Sequence, residues 1–119
     1  MAEHNELGKK GEELAIAFLL EKEYVILEKN YRYQKAEIDI IVQKENILVV
    51  VEVKTRSTNY FGNPEEFENQ KKIKLLTMSI DDYVVKNDLD VEVRFDIVAI
   101  TKKQNEFVIE HIEDAFLFF

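Results

Sequence analysis

Apolar residues recur at helical spacing near the start of the chain and at strand spacing after it. Over residues 5–22 they fall, with one small residue, on a single helical stripe: Leu7, Gly11, Leu14, Ala15 and Phe18. This spacing predicts an amphipathic helix. The later apolar stretches are rich in β-branched and aromatic residues, which favour strands. They read EYVILEKNYRY, AEIDIIVQ, NILVVVEVKTR, VEVRFDIVAI and EFVIEHI.

A second helix is predicted between the third and fourth strands, after the loop RSTNYFGNP. Asn63 suits the N-cap, Pro64 suits the first helical position, and Glu66 completes a capping box. The helix should then run to about Lys86. The order α-β-β-β-α-β-β predicts an α/β fold, with a mixed central sheet flanked by helices. A chain of 119 residues is long enough for one hydrophobic core, so residues 1–119 are expected to form a single domain.

Four polar side chains interrupt the most hydrophobic hairpin, EIDIIVQKENILVVVEVKTR at residues 37–56. A two-residue turn at Glu45 and Asn46 would place Asp39 opposite Glu52. The same register would place Glu37 opposite Lys54, and directly opposite residues share one face of a sheet. The other face would hold Ile38, Ile40, Val42, Val49, Val51 and Val53. Leu48 and Val50 are also apolar on the polar face, so the third strand should be covered on both sides and central.

The facing acids need a counter-charge, whereas a Glu37–Lys54 pair is favourable by itself. Two carboxylates about 4 Å apart repel by roughly 4 kcal/mol at an effective dielectric constant near 20. Protonation of one acid, a basic side chain between them, or a divalent cation would each relieve this repulsion. Mg²⁺ and Mn²⁺ take oxygen ligands and are commonly held by one or two carboxylates. The spacing leaves these alternatives open.

Composition narrows the possible chemistry. The chain is 46% hydrophobic and 34% charged, which is typical of a globular protein. It contains no cysteine, which excludes disulfides and zinc–thiolate sites. His4 and His111 are too far apart in sequence to indicate a histidine metal site. No stretch approaches a membrane span, and the opening MAEHNE is not a signal peptide. We therefore expect a cytoplasmic protein that does not bind membranes.

The net charge of −8 argues against nucleic acid as a partner, because that affinity depends on Lys and Arg contacts to phosphate. The distribution of charge modifies this argument, since local patches govern binding. Basic residues recur near the hairpin: Lys9, Lys10, Arg32, Lys35, Lys54, Arg56, Lys71, Lys72 and Lys74. Binding to DNA is expected to be weak and strongly dependent on salt.

The spacing of Asp39, twelve residues, and then Glu52-Val53-Lys54 resembles the D…(D/E)xK signature of the restriction-endonuclease-like PD-(D/E)xK nucleases. The wider pattern resembles the YraN-like family of bacterial proteins, itself similar to archaeal Holliday-junction resolvases. The matching stretches span roughly residues 8–100: GKKGEELA, NYR, EIDII, VEVKTRS, the helix with Lys71, and RFDIVAI. Two positions depart from the pattern: Ala36 replaces the usual glycine, and Ile38 precedes Asp39 where the nucleases have proline.

The resemblance implies a restriction-endonuclease-like fold and Mg²⁺-dependent hydrolysis of phosphodiester bonds in DNA, with Mn²⁺ as a substitute ion. Branched or damaged DNA is the implied substrate. By the same resemblance, Asp39 and Glu52 are metal ligands, Lys54 is the catalytic lysine, and Glu12 is a third catalytic acid. A metal between two carboxylates lowers the pKa of an attacking water, and a lysine can orient that water or stabilise developing charge.

Neighbouring residues have both a functional and a structural interpretation. We expect Glu37 to pair with Lys54 or to orient it. Arg56 is expected either to pair with Asp96, which needs a partner if it is buried, or to contact phosphate. Lys71 is either a solvated helix residue or a contact to the DNA backbone. We expect His111 to be a surface residue of a strand.

Two other functions remain open. One is a DNA-binding or partner-binding module with the nuclease fold but without turnover. The other is a small structural protein in which the carboxylates form ion pairs. The apolar tail AFLFF either closes the core or contacts a second subunit. We expect a homodimer, although repulsion between two chains of net charge −8 opposes it.

Overall fold

The computed structural model describes residues 2–57 and 70–116, with side chains from residue 6 onward. It contains α1 (Ala2–Glu21), β1 (Val25–Tyr33), β2 (Ala36–Lys44), β3 (Ile47–Ser57), α2 (Gln70–Lys86), β4 (Glu92–Lys103) and β5 (Glu106–Ile112). This order confirms the predicted α-β-β-β-α-β-β arrangement. The predicted cap at Asn63, Pro64 and Glu66 and the last three tail residues lie outside the described residues.

The described strands form a five-stranded mixed sheet in the order β1-β2-β3-β4-β5. Neighbouring strands are antiparallel except β3 and β4, which are parallel and pair from Ile47–Glu92 to Ser57–Lys102. A parallel pair needs a long crossover connection, and α2 lies in that connection. The predicted central position of β3 is confirmed.

A helix covers each face of the central strands. The core on the α1 face contains Ala15, Leu19, Ile40, Val42, Val49, Val51, Val98 and Ile100. The core on the α2 face contains Ile38, Ile41, Leu48, Val50, Leu76, Ile80 and Ile97, and it also takes in Phe116 from the tail. The Phe116 ring lies 5.8 Å from that of Phe95. The start of the apolar tail therefore closes the core, as one of the two interpretations expected.

Both helices end with an acidic residue in the left-handed conformation, where glycine is the commoner choice. Glu23 has φ of 73° and Asp88 has φ of 52°. After α1, the Tyr24 amide donates to the Leu19 carbonyl at 3.0 Å, and the Glu23 amide donates to Leu20 at 2.9 Å. These two bonds satisfy carbonyls at the end of the helix and turn Tyr24 into the core.

Gly11 permits the closest approach of α1 to the sheet. A Cβ atom at this position would lie 3.0 Å from Thr55 Cβ and 3.1 Å from Thr55 Cγ2. Real Cβ contacts are rarely this short, so a side chain here would force α1 and β3 apart. The next residue in α1 is Glu12, so the acid predicted as a third catalytic group lies on the turn of α1 that packs against Thr55 of β3.

Replacing Gly11 by alanine is expected to lower the free energy of unfolding by about 1–3 kcal/mol, as overpacking does. Gly8 is the matched control in the same helix, because a Cβ there meets no atom of the described residues within 4 Å. Gly8→Ala should stabilise the protein by up to about 1 kcal/mol through helix propensity alone. Urea unfolding of both variants measures the difference. Equal stabilisation by the two substitutions would show that Gly11 has no packing role.

Within residues 2–57 and 70–116, no helix combines the length and the apolar character needed to span a membrane.

Candidate active site

The β2–β3 hairpin has the predicted register from Lys44–Ile47 to Ile40–Val51. Glu45 begins the tight turn with φ of 56°. Beyond Ile40 the side chain of Asp39 reaches toward β3, and its Oδ2 accepts a hydrogen bond from the Val53 amide at 2.9 Å. The Asp39 carboxylate therefore accepts the hydrogen bond from a β3 amide that a backbone carbonyl of the neighbouring strand would accept in a regular sheet. This bond fixes Asp39 beside Glu52.

Ile38 differs from the prediction, which placed it on the same face as Ile40. It packs instead in the core on the α2 face, whereas Ile40 packs on the α1 face. The strand is irregular here: Asn30, which lies between the partners of Ile38 and Ile40, has φ of 53°. The local distortion breaks the two-residue alternation at Asp39 and turns Ile38 to the other face.

Glu52 is the buried centre of the cluster. Its side chain is 5% exposed, and the Lys54 Nζ lies 3.9 Å from its Oε2. The Lys72 Nζ, from the first described turn of α2, contacts the same oxygen more closely. The Asp39 carboxylate is held beside Glu52 by the amide of Val53, the residue that follows it. The structure therefore brings two acids and two lysines together across β2, β3 and α2.

The pKa of the Asp39 carboxyl lies above its usual value. Burial is the largest cause, because it disfavours the charged form; the hydrogen bond from the Val53 amide opposes it. The negative charge of Glu12 raises this pKa further, while the positive charge of Lys72 and the hydrogen bond with Glu52 lower it. Burial and the charge of Glu12 therefore outweigh the groups that favour the ionised form of Asp39.

Glu12, on α1, is the third acid that the sequence predicts for this site. Its charge acts on Asp39 and it is partly buried, whereas the adjacent Glu13 is exposed. In the described part of the chain, however, no three His, Asp or Glu side chains converge as a group that could hold a metal ion. Glu12 is therefore near the carboxylate pair without completing a three-acid cluster.

The donor chemistry of the pair fits Mg²⁺. Asp39 and Glu52 present carboxylate oxygens, which this hard cation prefers. Magnesium is usually bound by one or two carboxylates and completes its octahedron with waters and substrate phosphate. Two neighbouring acids are enough ligands for such a site, and it needs no histidine or cysteine ligand.

Three other sequence-predicted residues lie around the cluster. Glu37 pairs with Arg32 across β1 and β2 at 3.6 Å, so among the described residues its ion pair is with Arg32 rather than the expected Lys54. The Arg56 side chain donates from Nη1 to the Thr55 carbonyl at 3.1 Å and is partly buried. Lys71 is exposed at the start of α2, where it can reach a ligand from solvent.

Lys72 is the residue at this site whose role the sequence analysis did not single out. The buried residues of α2 include Leu76, Ile80 and Tyr83, and Lys72 precedes them by four, eight and eleven positions. This helical spacing could have identified Lys72 from the sequence, because it places Lys72 on the side of α2 that faces the sheet and leaves Lys71 outside that stripe.

A second polar cluster surrounds Asp96, on the sheet face covered by α1. The carboxylate is fully buried and accepts two hydrogen bonds at 2.9 Å from Arg94. His111 Nε2 donates to it at 2.7 Å and the Asp114 amide at 3.2 Å. Arg94 also donates to the Tyr24 hydroxyl at 2.7 Å. The bonds from β5 and the segment after it tie the C-terminal part of the chain to β4.

This cluster corrects two predictions. The partners of Asp96 are Arg94 and His111, so the expected ion pair with Arg56 is wrong. The His111 side chain is almost completely buried and packs edge-on against the rings of Phe18 and Tyr24, so its expected surface position is also wrong. A buried carboxylate needs charged or hydrogen-bonding partners, and these two residues supply them.

The fold and the site together define a small α/β protein whose mixed sheet carries a buried carboxylate–lysine cluster on its central strand. Comparison with known proteins shows which family the chain belongs to. The model of the uncharacterised protein family UPF0102 matches residues 11–100, and the chain belongs to this family, which confirms the YraN-like resemblance.

Similar proteins span the whole chain. A UPF0102 protein from Flavobacterium psychrophilum is 60% identical over 119 residues, which cover 100% of both chains. One from Christiangramia forsetii is also 60% identical over the full length of both chains. A third, from Phocaeicola vulgatus, is 48% identical over 98% of this chain and 96% of its own.

Proposed function

We propose that this protein is a Mg²⁺-dependent nuclease that hydrolyses phosphodiester bonds in DNA. Asp39 and Glu52 would hold the metal, and Lys54 would act on the substrate. The observation that carries the proposal is the buried Glu52 carboxylate, which has a second carboxylate fixed beside it by the Val53 amide and two lysines within ion-pair distance of one of its oxygens. A single ion pair would need one acid and one base, whereas this cluster gathers two acids and two lysines from β2, β3 and α2.

The chemistry follows from what each group can do. A divalent ion bound there would polarise the scissile phosphate and lower the pKa of a water. The Val53 amide holds Asp39 in place. Lys54 is 13% exposed, so its ammonium group is fixed at the cluster rather than extended into water. From there it would stabilise the negative charge that develops on phosphate oxygens. Glu12 would accept a proton at the edge of the site.

The substrate is a polyanion, so the local charge matters more than the total of −8. Lys54, Arg56, Lys71 and Lys72 all lie on the final part of β3 or at the described start of α2. They supply positive charge on one side of the sheet. Branched or damaged DNA fits this arrangement, because a small basic surface binds a deformed backbone better than it holds a long duplex. Cytoplasmic location and a homodimer belong to the same proposal.

A binding module without turnover is the second candidate. It is favoured by one observation: no three-acid group that could hold a metal exists among the described side chains. Such a module would bind DNA or a protein through the same lysines and would leave phosphodiester bonds intact.

Replacing Asp39 by asparagine tests the metal site. Asparagine keeps an oxygen that can accept the hydrogen bond from the Val53 amide. Alanine would leave this amide without its acceptor. Metal-free stability should therefore hold, while Mn²⁺ affinity should fall at least about tenfold, the lower bound for loss of a metal-supporting group. Calorimetric titration with Mn²⁺ measures this, and Asp90→Asn, an exposed site, is the control. Unchanged affinity in Asp39→Asn would contradict the proposed site.

A further inference from the structure

We infer that Lys72 is the resident counter-ion of the Asp39–Glu52 pair, that a divalent cation must displace its ammonium group, and that Lys72 therefore sets the metal affinity of the site. The inference rests on the proposed function only in taking these two acids as the metal ligands. It concerns how the site is held together without metal.

The geometry distinguishes Lys72 from Lys54. Both ammonium groups lie on Glu52 Oε2, and that of Lys72 is the closer of the two. The side chain of Lys72 is 40% exposed, compared with 13% for Lys54 and 5% for Glu52. Lys72 thus reaches from the surface into a buried carboxylate, and a route to solvent is open to it. Lys54 is enclosed and stays beside the cluster.

The backbone position of Lys72 supports the same role. Leu76 and Ile80 follow on the same stripe of α2 and are fully buried in the core. This packing holds the helix against the sheet, so the Cα atom of Lys72 is fixed while its long side chain can turn. Lys74 carries the same charge on the same helix and is exposed. It therefore provides a matched comparison.

The charges explain why metal and lysine would exclude each other. Lys72 contacts Glu52 directly, and the second acid, Asp39, is held next to Glu52 by its hydrogen bond with the Val53 amide. Lys54 and Lys72 together balance the two carboxylates, so a divalent ion that joined them without displacing either would leave a surplus of positive charge in a largely buried site. A divalent ion at the Glu52 oxygen that Lys72 contacts would stand close to that ammonium group, and the two positive charges would repel each other. Metal binding would thus proceed by exchange of the ammonium group for the ion.

Exchange predicts a coupling that works in both directions. If Lys72 opposes the metal, removal of its charge must tighten metal binding, and the metal must stabilise the variant more than the wild type. Without metal, the same variant loses the compensation of its acids and should melt at a lower temperature than the wild type.

The test uses Lys72→Met, which keeps most of the aliphatic stem, with Lys74→Met as the control and Lys72→Arg as the charge-preserving variant. Mn²⁺ affinity is measured by calorimetry, and the melting temperature is measured with and without Mn²⁺. We expect Lys72→Met to bind Mn²⁺ about tenfold more tightly than Lys74→Met, within the usual range of coupling between sites. Lys72→Arg should stay close to the wild type. Adding Asp39→Asn to Lys72→Met should remove the gain.

Each outcome separates the inference from the proposed function. If wild type binds Mn²⁺ through Asp39 but Lys72→Met binds no more tightly than Lys74→Met, the counter-ion role is overturned and the metal site stands. If no variant binds Mn²⁺, both are overturned. Should Lys72→Met be unfolded without metal, saturating Mn²⁺ must restore its fold, and failure to do so would also count against the inference.

Discussion

Asp96→Asn is expected to lower the free energy of unfolding by about 3–5 kcal/mol, the usual cost of breaking a buried ion pair by changing one partner. Asp96 is fully buried and accepts hydrogen bonds from Arg94, His111 and the Asp114 amide. Asparagine is nearly isosteric but has one acceptor oxygen and no charge. Arg94 would then remain partly buried beside a neutral group. The NH₂ group of the asparagine would also face a second hydrogen-bond donor.

The pH dependence of this effect has a defined sign. Burial alone would raise the pKa of Asp96, but hydrogen bonds from His111 and Arg94 outweigh it and lower the pKa below its usual value. A carboxyl group whose pKa is depressed by folding contributes stability above its unfolded pKa, and that contribution disappears as the pH falls through the folded value. The difference between wild type and Asp96→Asn should therefore be full near neutrality and shrink below about pH 4.

Urea unfolding at several pH values measures both features, with Asp90→Asn as the exposed control. A loss below about 1 kcal/mol at neutral pH, the range of an exposed ion pair, would mean that the Asp96 cluster does not hold the C-terminal segment.

Lys54→Met is expected to reduce single-turnover DNA cleavage about 10²–10³-fold, as removal of one charge-stabilising donor does. Methionine keeps the stem of a side chain that is mostly enclosed, so the fold should survive. Mn²⁺ binding should also survive, since Asp39 and Glu52 are unchanged and one nearby positive charge is lost. Lys103→Met, exposed at the end of β4, controls for the general loss of positive charge. Cleavage at the wild-type rate would reduce Lys54 to an ion-pair partner of Glu52.

The sequence predicts the hairpin well because its signals are local. A polar two-residue turn at Glu45 and Asn46 fixes the register, and the pattern around Leu48 and Val50 shows that both faces of β3 are covered. The register and the burial of β3 are enough to predict from the sequence that Glu52 and Lys54 lie on one face of the sheet. The break at Asp39 could not be predicted, because it accompanies a left-handed residue in the neighbouring strand, Asn30, and a side-chain bond to the Val53 amide.

The Asp96 cluster could also have been predicted from a local turn. A two-residue turn at Gln104 and Asn105 pairs Lys103 with Glu106 and therefore Val98 with His111, as the structure shows. Since residues two apart share a face, Arg94, Asp96 and His111 then lie together. The approach of Tyr24 is different in kind, because it depends on how α1 docks on the sheet, and no local pattern specifies that.

The central claim is DNA hydrolysis at the Asp39–Glu52–Lys54 site, and the most direct measurement is single-turnover cleavage with protein in excess over end-labelled DNA. A four-way junction, a nicked duplex and a linear duplex would be compared at low salt, with Mg²⁺ and with EDTA. We expect strand cleavage that requires Mg²⁺, is fastest on the branched or nicked DNA, and is lost in Lys54→Met. Intact DNA in every Mg²⁺ reaction, from wild-type protein that binds Mn²⁺ through Asp39, would contradict the nuclease and leave a metal-binding module on this fold.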